Sequence, residues 1–283
     1  MAFSLSEEHA TIPEVVILPT KGLFNLDLAA LWQYRELLYF LIWRDVKVRY
    51  KQTLIGFAWV ILQPLLTMLI FTVVFSRFAK IPSDNLPYPV FAFAALLPWT
   101  YFAQALGRSS VSLVGNSSLI SKVYFPRLIM PLAAVVAPGV DFVLSFCILL
   151  GLMTYYGIAP NLGIVFLPLL MGLALSTSLA VSLWLSPLHV RYRDVGHVTP
   201  FLVQFWMYAS PVAYPVGLVP EKWQLLYGLN PMVGVIEGFR WALLGKTNPD
   251  FSLIGMSAAL VLVLLFSGLI YFRKMERTFA DVL

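Results

Sequence analysis

Residues 142–190 read FVLSFCILLGLMTYYGIAPNLGIVFLPLLMGLALSTSLAVSLWLSPLHV, and no Asp, Glu, Lys or Arg interrupts them. A helix rising about 1.5 Å per residue needs about 20 apolar residues to cross a bilayer core about 30 Å thick. This run is long enough for two crossings, and the turn Tyr155-Tyr156-Gly157-Ile158-Ala159-Pro160-Asn161 divides them. The pattern recurs on both sides. Uncharged stretches run between Lys51 and Arg77, and over Asn85–Gly107, Val195–Pro220 and Phe251–Phe272. These patterns predict six spans, at about 54–76, 87–107, 129–154, 163–187, 198–217 and 252–272. The third holds Asp141 and is assigned from its length and flanks. The fold class expected is an all-α polytopic membrane protein.

Composition agrees. The chain is 60% hydrophobic and 12% charged, with a mean hydropathy of +0.83. Soluble domains carry about 25% charged residues, so this chain has too few to solvate a surface. Its basic pI, about 9.3, does not point to nucleic acid, because the cations lie between the apolar runs instead of forming one patch. The single cysteine, Cys147, lies within an apolar run and leaves no disulfide framework. Residues 1–29, with Glu7, Glu8 and Glu14, lack the basic and apolar regions of a cleaved signal peptide. Placing the N-terminus in the cytoplasm puts 14 of the 19 Lys and Arg inside and leaves Arg77, Lys80, Lys222, Arg240 and Lys246 outside. The positive-inside rule therefore predicts that both termini are cytoplasmic.

Two apolar segments do not fit as spans. Residues 30–52 mix aromatic and aliphatic side chains with a basic tail. Leu37, Leu38, Leu41 and Val48 recur at helical spacing, opposite Arg35, Glu36, Asp45 and Lys47. This is the pattern of a helix lying in the membrane interface, or of an amphipathic helix packed on protein. The second segment, Trp223–Ile236, is too short to cross and is followed by Glu237 and Arg240. It reads as a re-entrant or interfacial helix broken at Asn230-Pro231. The remaining chain, 53–283, forms one membrane domain.

The sequence carries no catalytic signature. No G-x-x-x-x-G-K-[ST] loop exists to cradle phosphates, and neither H-E-x-x-H nor G-x-S-x-G occurs. No Cys/His cluster has metal spacing, so no metal and no catalytic residue are expected. His189 and His197, beside Arg191 and Arg193, read as solvated loop residues. An envelope-synthesis enzyme would have only Glu221, Glu237, Arg240 and Asp250 to work with, and Glu237/Arg240 has the spacing of a helix-surface ion pair.

Asp141 is the one carboxylate deep within a predicted span. Such a group needs a partner. It reads as a structural tie between helices or as a contact along a transport path. Aromatic residues concentrate in the fifth span, where Phe201, Phe205, Trp206, Tyr208 and Tyr214 alternate with Gln204 and Ser210. The first span carries Trp59 and Gln63-Pro64. Aromatic faces beside amides and hydroxyls suit the apolar faces and polar rims of sugars. The competing reading is packing or an interfacial belt, and for Trp99, Tyr124 and Trp223 the belt is expected. In the loop 108–127, Asn116 or Ser117 is placed to cap a short helix ended by Pro126. That helix is either a connector or a surface on which a soluble partner pushes.

Several motifs, in order, resemble one family. They are Arg44-Asp45-Val46-Lys47-Val48-Arg49-Tyr50-Lys51, Gly56-Phe57-Ala58-Trp59 with Gln63-Pro64-Leu65, Leu97-Pro98-Trp99 and Val123-Tyr124-Phe125-Pro126-Arg127. Tyr192-Arg193-Asp194, Trp206-Met207-Tyr208-Ala209-Ser210-Pro211, Asn230-Pro231-Met232, Arg240-Trp241 and Glu276-Arg277-Thr278-Phe279-Ala280-Asp281 continue the series. From about Leu31 onward the chain resembles the permease subunit of type-2 ABC exporters for polysaccharides, the group that moves O-antigen, capsule or teichoic acid. The resemblance implies a homodimer in the bacterial inner membrane, with two copies of a separate ABC ATPase that bind ATP and Mg. This chain would hold no cofactor. Its substrate would be a lipid-linked polysaccharide, O-antigen foremost, and it would act as a transport subunit and not as an enzyme. A type-2 exporter of drugs or small molecules is the alternative.

The resemblance also implies site roles. The interface helix (Arg44, Lys47, Arg49) and the loop after span two (Asn116, Ser117, Leu119, Lys122, Tyr124) would receive the ATPase motion. Short external re-entrant helices, about 219–246, would form the outer mouth. Spans one and five would line the channel, placing Trp59, Gln63, Gln204, Trp206, Tyr208, Ser210 and Tyr214 along the substrate path.

Overall fold

The structure is a computed structural model that describes residues 28–51, 56–245 and 251–279. Most of the predicted N-terminal segment, and Lys246, Asp250, Ala280 and Asp281, lie outside the described residues. Every regular element described is helical. The chain begins with α1 (Leu28–Gln33) and α2 (Arg35–Lys51), then α3 (Gly56–Phe71), which ends in a π-helical stretch, Thr72–Phe78. α4 (Tyr88–Gly115), α5 (Ser117–Lys122), α6 (Ile129–Val136) and α7 (Gly139–Tyr155) follow. A short 3-10 segment, Leu162–Phe166, leads into α8 (Leu167–Arg191), and α9 (Val195–Tyr208) comes next. The described chain closes with α10 (Glu221–Gly228), α11 (Pro231–Leu244) and α12 (Phe251–Glu276).

Five helical segments are long and apolar enough to cross a membrane: Ala58–Phe78, Tyr88–Gly115, Ile129–Tyr155, Leu162–Arg191 and Phe251–Glu276. They coincide with five of the six predicted spans. At one end of the bundle lie α5 and the cations Lys122, Arg127, Arg191, Arg193 and Arg273, and we call this the basic end. α4 is the hub, packed against α3, α6, α7, α8, α9 and α11. Ala92, Ala94, Ala95 and Ala105 on it are fully buried, and such small residues let neighbouring helices come close without a water-driven hydrophobic force. The buried hydroxyls of Ser109 on α4 and Ser182 on α8 pair across that contact.

The predicted fifth span is not one helix. α9 ends at Tyr208, and residues 209–215 leave helical geometry around Pro211 and Pro215. Proline has no N–H to donate and opposes the preceding turn, so the carbonyls freed here need other donors. They have them. The Asn230 amide donates to the Ala209 carbonyl (3.0 Å) and Tyr88 Oη to that of Ala213 (2.7 Å). Arg240 donates to the carbonyls of Val212 (3.0 Å) and Tyr214 (3.2 Å).

The third span is interrupted where α6 gives way to α7 at Ala137-Pro138, so Asp141 falls in the first turn of α7. A carboxylate there meets the positive end of the helix dipole.

Other expectations need correction. Glu237 and Arg240 pair at 3.1 Å, but Arg240 is only 1% exposed, so this is a core contact and not a surface one. α11 can sink so deeply because glycines stand where its neighbours press. At Gly234 a Cβ would lie 2.5 Å from Ser257 Oγ, and at Gly238 it would lie 2.5 Å from a Leu170 methyl. Gly245 closes α11 in the left-handed conformation, φ +63°. Trp99 and His189 are also buried, not in a belt or a solvated loop. The interface segment is two helices that meet at Tyr34. Leu37, Leu38 and Leu41 pack inward as predicted, but Val48 is exposed together with Tyr39, Phe40 and Trp43. Apolar side chains thus lie on both sides of α2.

Candidate functional site

A cleft of about 450 Å³ opens between α2, α3, α4 and α7. Trp59, Gln63 and Thr67 line it from α3, and Thr100, Gln104 and Arg108 from α4. Arg49 and Asp141 form a contact ion pair in its wall. Tyr50 Oη also donates to Asp141 Oδ1 at 2.5 Å, and Arg49 Nη1 donates to Gln104 Oε1 at 3.1 Å. The partner that a buried carboxylate requires therefore comes from the helix preceding the first span. Sequence spacing alone gave no signal that these segments meet. Burial, with Arg108 close by, pushes the Arg49 pKa down to about 10, so the guanidinium keeps its charge at neutral pH. Burial likewise raises Tyr50, which keeps its hydroxyl a donor.

Gln104 is eleven residues from the end of α4, so the ion pair sits about 16 Å in from the basic end. In this cleft cationic, amide, hydroxyl and indole groups converge around an open space. It brings together three of the residues singled out in the sequence, Trp59, Gln63 and Asp141, with Arg49, which had been assigned to coupling.

The remaining path candidates are elsewhere. Trp206 packs edge-on to Phe102 (5.1 Å), and its Nε1 donates to Asn230 Oδ1 (2.8 Å). Ser210 is fully buried; its hydroxyl donates to the Trp206 carbonyl and accepts from Asn230. Tyr214 Oη donates to the Tyr208 carbonyl and accepts from Tyr227. These three side chains are engaged in holding the broken segment after α9. Tyr208 and Gln204, by contrast, are exposed, as is Trp59. Trp206 and Asn230 also border a second, mostly apolar hollow with Trp223 and Tyr227, distinct from the α3–α4 cleft.

At the basic end, a separate apolar cluster joins Leu41 of α2, Ile120 of α5, Phe125, Ile129, Phe272 and Phe279. Tyr34 Oη donates to the Tyr124 carbonyl (3.4 Å), and Arg127 bonds to Glu276. Lys122 and Tyr124 remain exposed on this face and Lys47 is exposed further along α2, while Asn116, Ser117 and Leu119 are half-buried. Arg44 is half-exposed and pairs with Asp45 (2.9 Å). The expected cap of α5 is absent. Asn116 occupies the N-cap position, but its amide donates back to the Ser112 carbonyl (2.8 Å) and closes α4 instead. No group of three or more potential metal ligands occurs among the described residues.

Residues 36–244 match the model of the ABC-2 type transporter family. The chain belongs to that family. Its relatives include the O-antigen export system permease protein RfbA of Myxococcus xanthus, 32% identical over 89% of this chain and 96% of that protein. RfbA of Klebsiella pneumoniae is 28% identical over 85% of this chain and 92% of that protein. The polysialic acid transport protein KpsM of Escherichia coli is 25% identical over 82% of this chain and 91% of that protein. The family match spans α2 to α11, so both the cleft and the segment pinned by Arg240 fall within the ABC-2 domain.

Proposed function

We propose that this chain is the membrane-spanning subunit of an ATP-driven exporter that moves a lipid-linked polysaccharide, O-antigen foremost, outward across the bacterial inner membrane. The observation that carries this reading is the similarity to an O-antigen export permease over 96% of that protein's length. The sequence has no phosphate-cradling loop, so ATP and Mg belong to a separate ABC ATPase, two copies of which dock beneath a homodimer of this chain. Both termini and the basic end face the cytoplasm, in line with the 14 of 19 cations assigned to that side.

In this arrangement α9 and the pinned segment after it make the sixth crossing. α10 and α11 form the re-entrant pair at the outer mouth. α2 lies in the membrane interface, with Tyr39, Phe40 and Trp43 toward lipid headgroups. The ATPase pushes on Lys47, Lys122 and Tyr124, which are exposed, and the half-buried Arg44, Asn116, Ser117 and Leu119 carry the push into the basic-end cluster. Trp59, Gln63, Gln204 and Tyr208 contact the passing glycan; Trp206, Ser210 and Tyr214 shape the path they share.

Deleting the gene and following the glycan tests this directly. Loss of surface polysaccharide with accumulation of its lipid-linked form inside the cell is expected, and both should reverse on complementation. Normal surface polysaccharide in the deletion strain refutes the proposal.

A further inference from the structure

The cleft between α2, α3, α4 and α7 holds one more cation than its contacts neutralise. Arg49 is paired with Asp141. The other nearby carboxylate, Asp45, acts on Arg108 only at a distance, because two guanidinium nitrogens of Arg44 hold one of its oxygens at 2.9 and 3.0 Å. Arg108 lines the cleft half-buried, and among the described residues it makes no ion pair or hydrogen bond. An uncompensated guanidinium inside a membrane protein is costly, and such groups mark a ligand or a path.

The neutral groups beside it point to the same charge. The oxygen of Gln104 accepts from Arg49, which leaves its amide N–H groups as the donors it can offer. Gln63, on the opposite wall, makes no side-chain hydrogen bond among the described residues. A cleft lined by a guanidinium that has no ion pair and by amides able to donate suits an anion that only accepts hydrogen bonds. A guanidinium fork fits phosphate in two-point contact. The mouth adds a lipid signature. Trp59 stands at it 57% exposed, and Leu62, Leu66, Leu69 and Ile70 continue an exposed apolar face along α3. A hydrocarbon chain can lie on that face while its headgroup enters the cleft.

We propose that this cleft binds the phosphate headgroup of a membrane lipid, with Arg108 as the recognising cation and Gln63 and Gln104 as supporting donors. The headgroup has two sources, the lipid carrier of the exported glycan or a bulk anionic phospholipid. Assigning it to the carrier rests on the export reading above; the phosphate site itself does not.

The test uses the purified permease–ATPase complex, with bound lipids read by native mass spectrometry and by titration. Three probes separate the sources: a polyprenyl diphosphate, phosphatidylglycerol and the zwitterionic phosphatidylcholine. The polyprenyl diphosphate is expected to bind most tightly, and Arg108→Gln to weaken it on the order of tenfold to a hundredfold, the effect of losing a charged hydrogen-bond partner. Arg108→Lys should restore part of that loss. Equal binding of phosphatidylglycerol and the diphosphate assigns the site to bulk lipid and overturns the carrier assignment alone. Inorganic pyrophosphate should displace bound lipid from the unaltered protein, a measurement that needs no variant. Anionic lipid binding indifferent to both Arg108→Gln and pyrophosphate overturns the proposal, as does equal affinity for phosphatidylcholine. Arg108-dependent lipid binding by a complex that exports no polysaccharide would remove the export reading and leave this site standing.

Discussion

Replacing Arg240 by Met should cost the protein about 4 kcal/mol and loosen the segment that follows α9. The side chain donates to the carbonyls of Val212 and Tyr214 and to the Glu237 carboxylate, and it lies 3.7 Å from the centroid of the Phe91 ring. Breaking one partner of a buried ion pair typically costs about 3–5 kcal/mol, because the other charge stays behind. Each abandoned carbonyl adds about 1–3 kcal/mol if it finds no new donor. These terms overlap and do not sum, since relaxation at one relieves the others. Glu237→Gln keeps an acceptor for Arg240 and should cost about 1–2 kcal/mol, the difference between a charged and a neutral hydrogen bond. In the double variant no carboxylate is orphaned, but the two carbonyls still lack their donor. It should therefore be less destabilised than the sum of the single changes by about 1–3 kcal/mol. Reversible unfolding in mixed detergent gives these free energies. A cysteine at Val212, which is buried in the unaltered protein, should become reactive in the Arg240→Met background. An Arg240→Met loss below about 1 kcal/mol, with strictly additive changes and an unreactive cysteine, would refute the account of this contact.

Orientation is checked in a Cys147→Ser background: a cysteine replacing the highly exposed Leu162 should react with impermeant reagent in intact cells, and one replacing Ser118 should not. The reverse pattern inverts the topology. Trp59→Ala and Tyr208→Ala, both at exposed positions, should lower surface polysaccharide at an unchanged amount of complex, whereas Trp206→Phe should lower stability by about 1 kcal/mol through its lost bond to Asn230. Normal export by the Trp59/Tyr208 double variant would move the path elsewhere. Gly234→Ala should destabilise by about 1–3 kcal/mol, because its Cβ meets both Ser257 and the α12 backbone at Ile254. A neutral effect in the same unfolding assay would mean that α11 and α12 are not held this close.

The apolar runs predicted the five helices long and apolar enough to cross, because length and absence of charge are local properties, written within each segment. The end of α9 was less legible. Pro211 and Pro215 mark a disturbance, but whether a helix survives proline depends on who takes up the freed carbonyls. Those donors, Tyr88, Asn230 and Arg240, come from α4, the N-cap of α11 and α11 itself. The same limit misplaced Arg240, whose i,i+3 spacing to Glu237 reads identically on a surface and in a core. Asp141 was recognised as needing a partner, and α2 supplied one that periodicity cannot reveal. Of the aromatic residues marked for a path, Trp59 does border the polar cleft, while Trp206 and Tyr214 carry hydrogen bonds that hold the backbone. A polar–aromatic mixture in a span is equally the signature of a site and of a repaired helix break.

α2 links the two regions that matter most. Near its start, Leu37, Leu38 and Leu41 join the basic-end cluster with α5 and Phe279. At its other end Arg49 and Tyr50 hold Asp141, and Arg49 holds Gln104 as well. Its 17 residues make a rod about 25 Å long. A push on the exposed face of α5 therefore reaches α2 through packed apolar side chains, which yield little. It reaches the cleft as a displacement of Arg49. Moving that guanidinium alters the pairing of Asp141 and the orientation of the Gln104 amide, two of the groups that set the charge and donors around Arg108. The affinity of the proposed anion site would thus be tied to the position of the helix on which a partner at the basic end would act. Were a partner to push at the basic end while the cleft holds an anion, α2 would couple the two, and by linkage each would bias the other to the same extent.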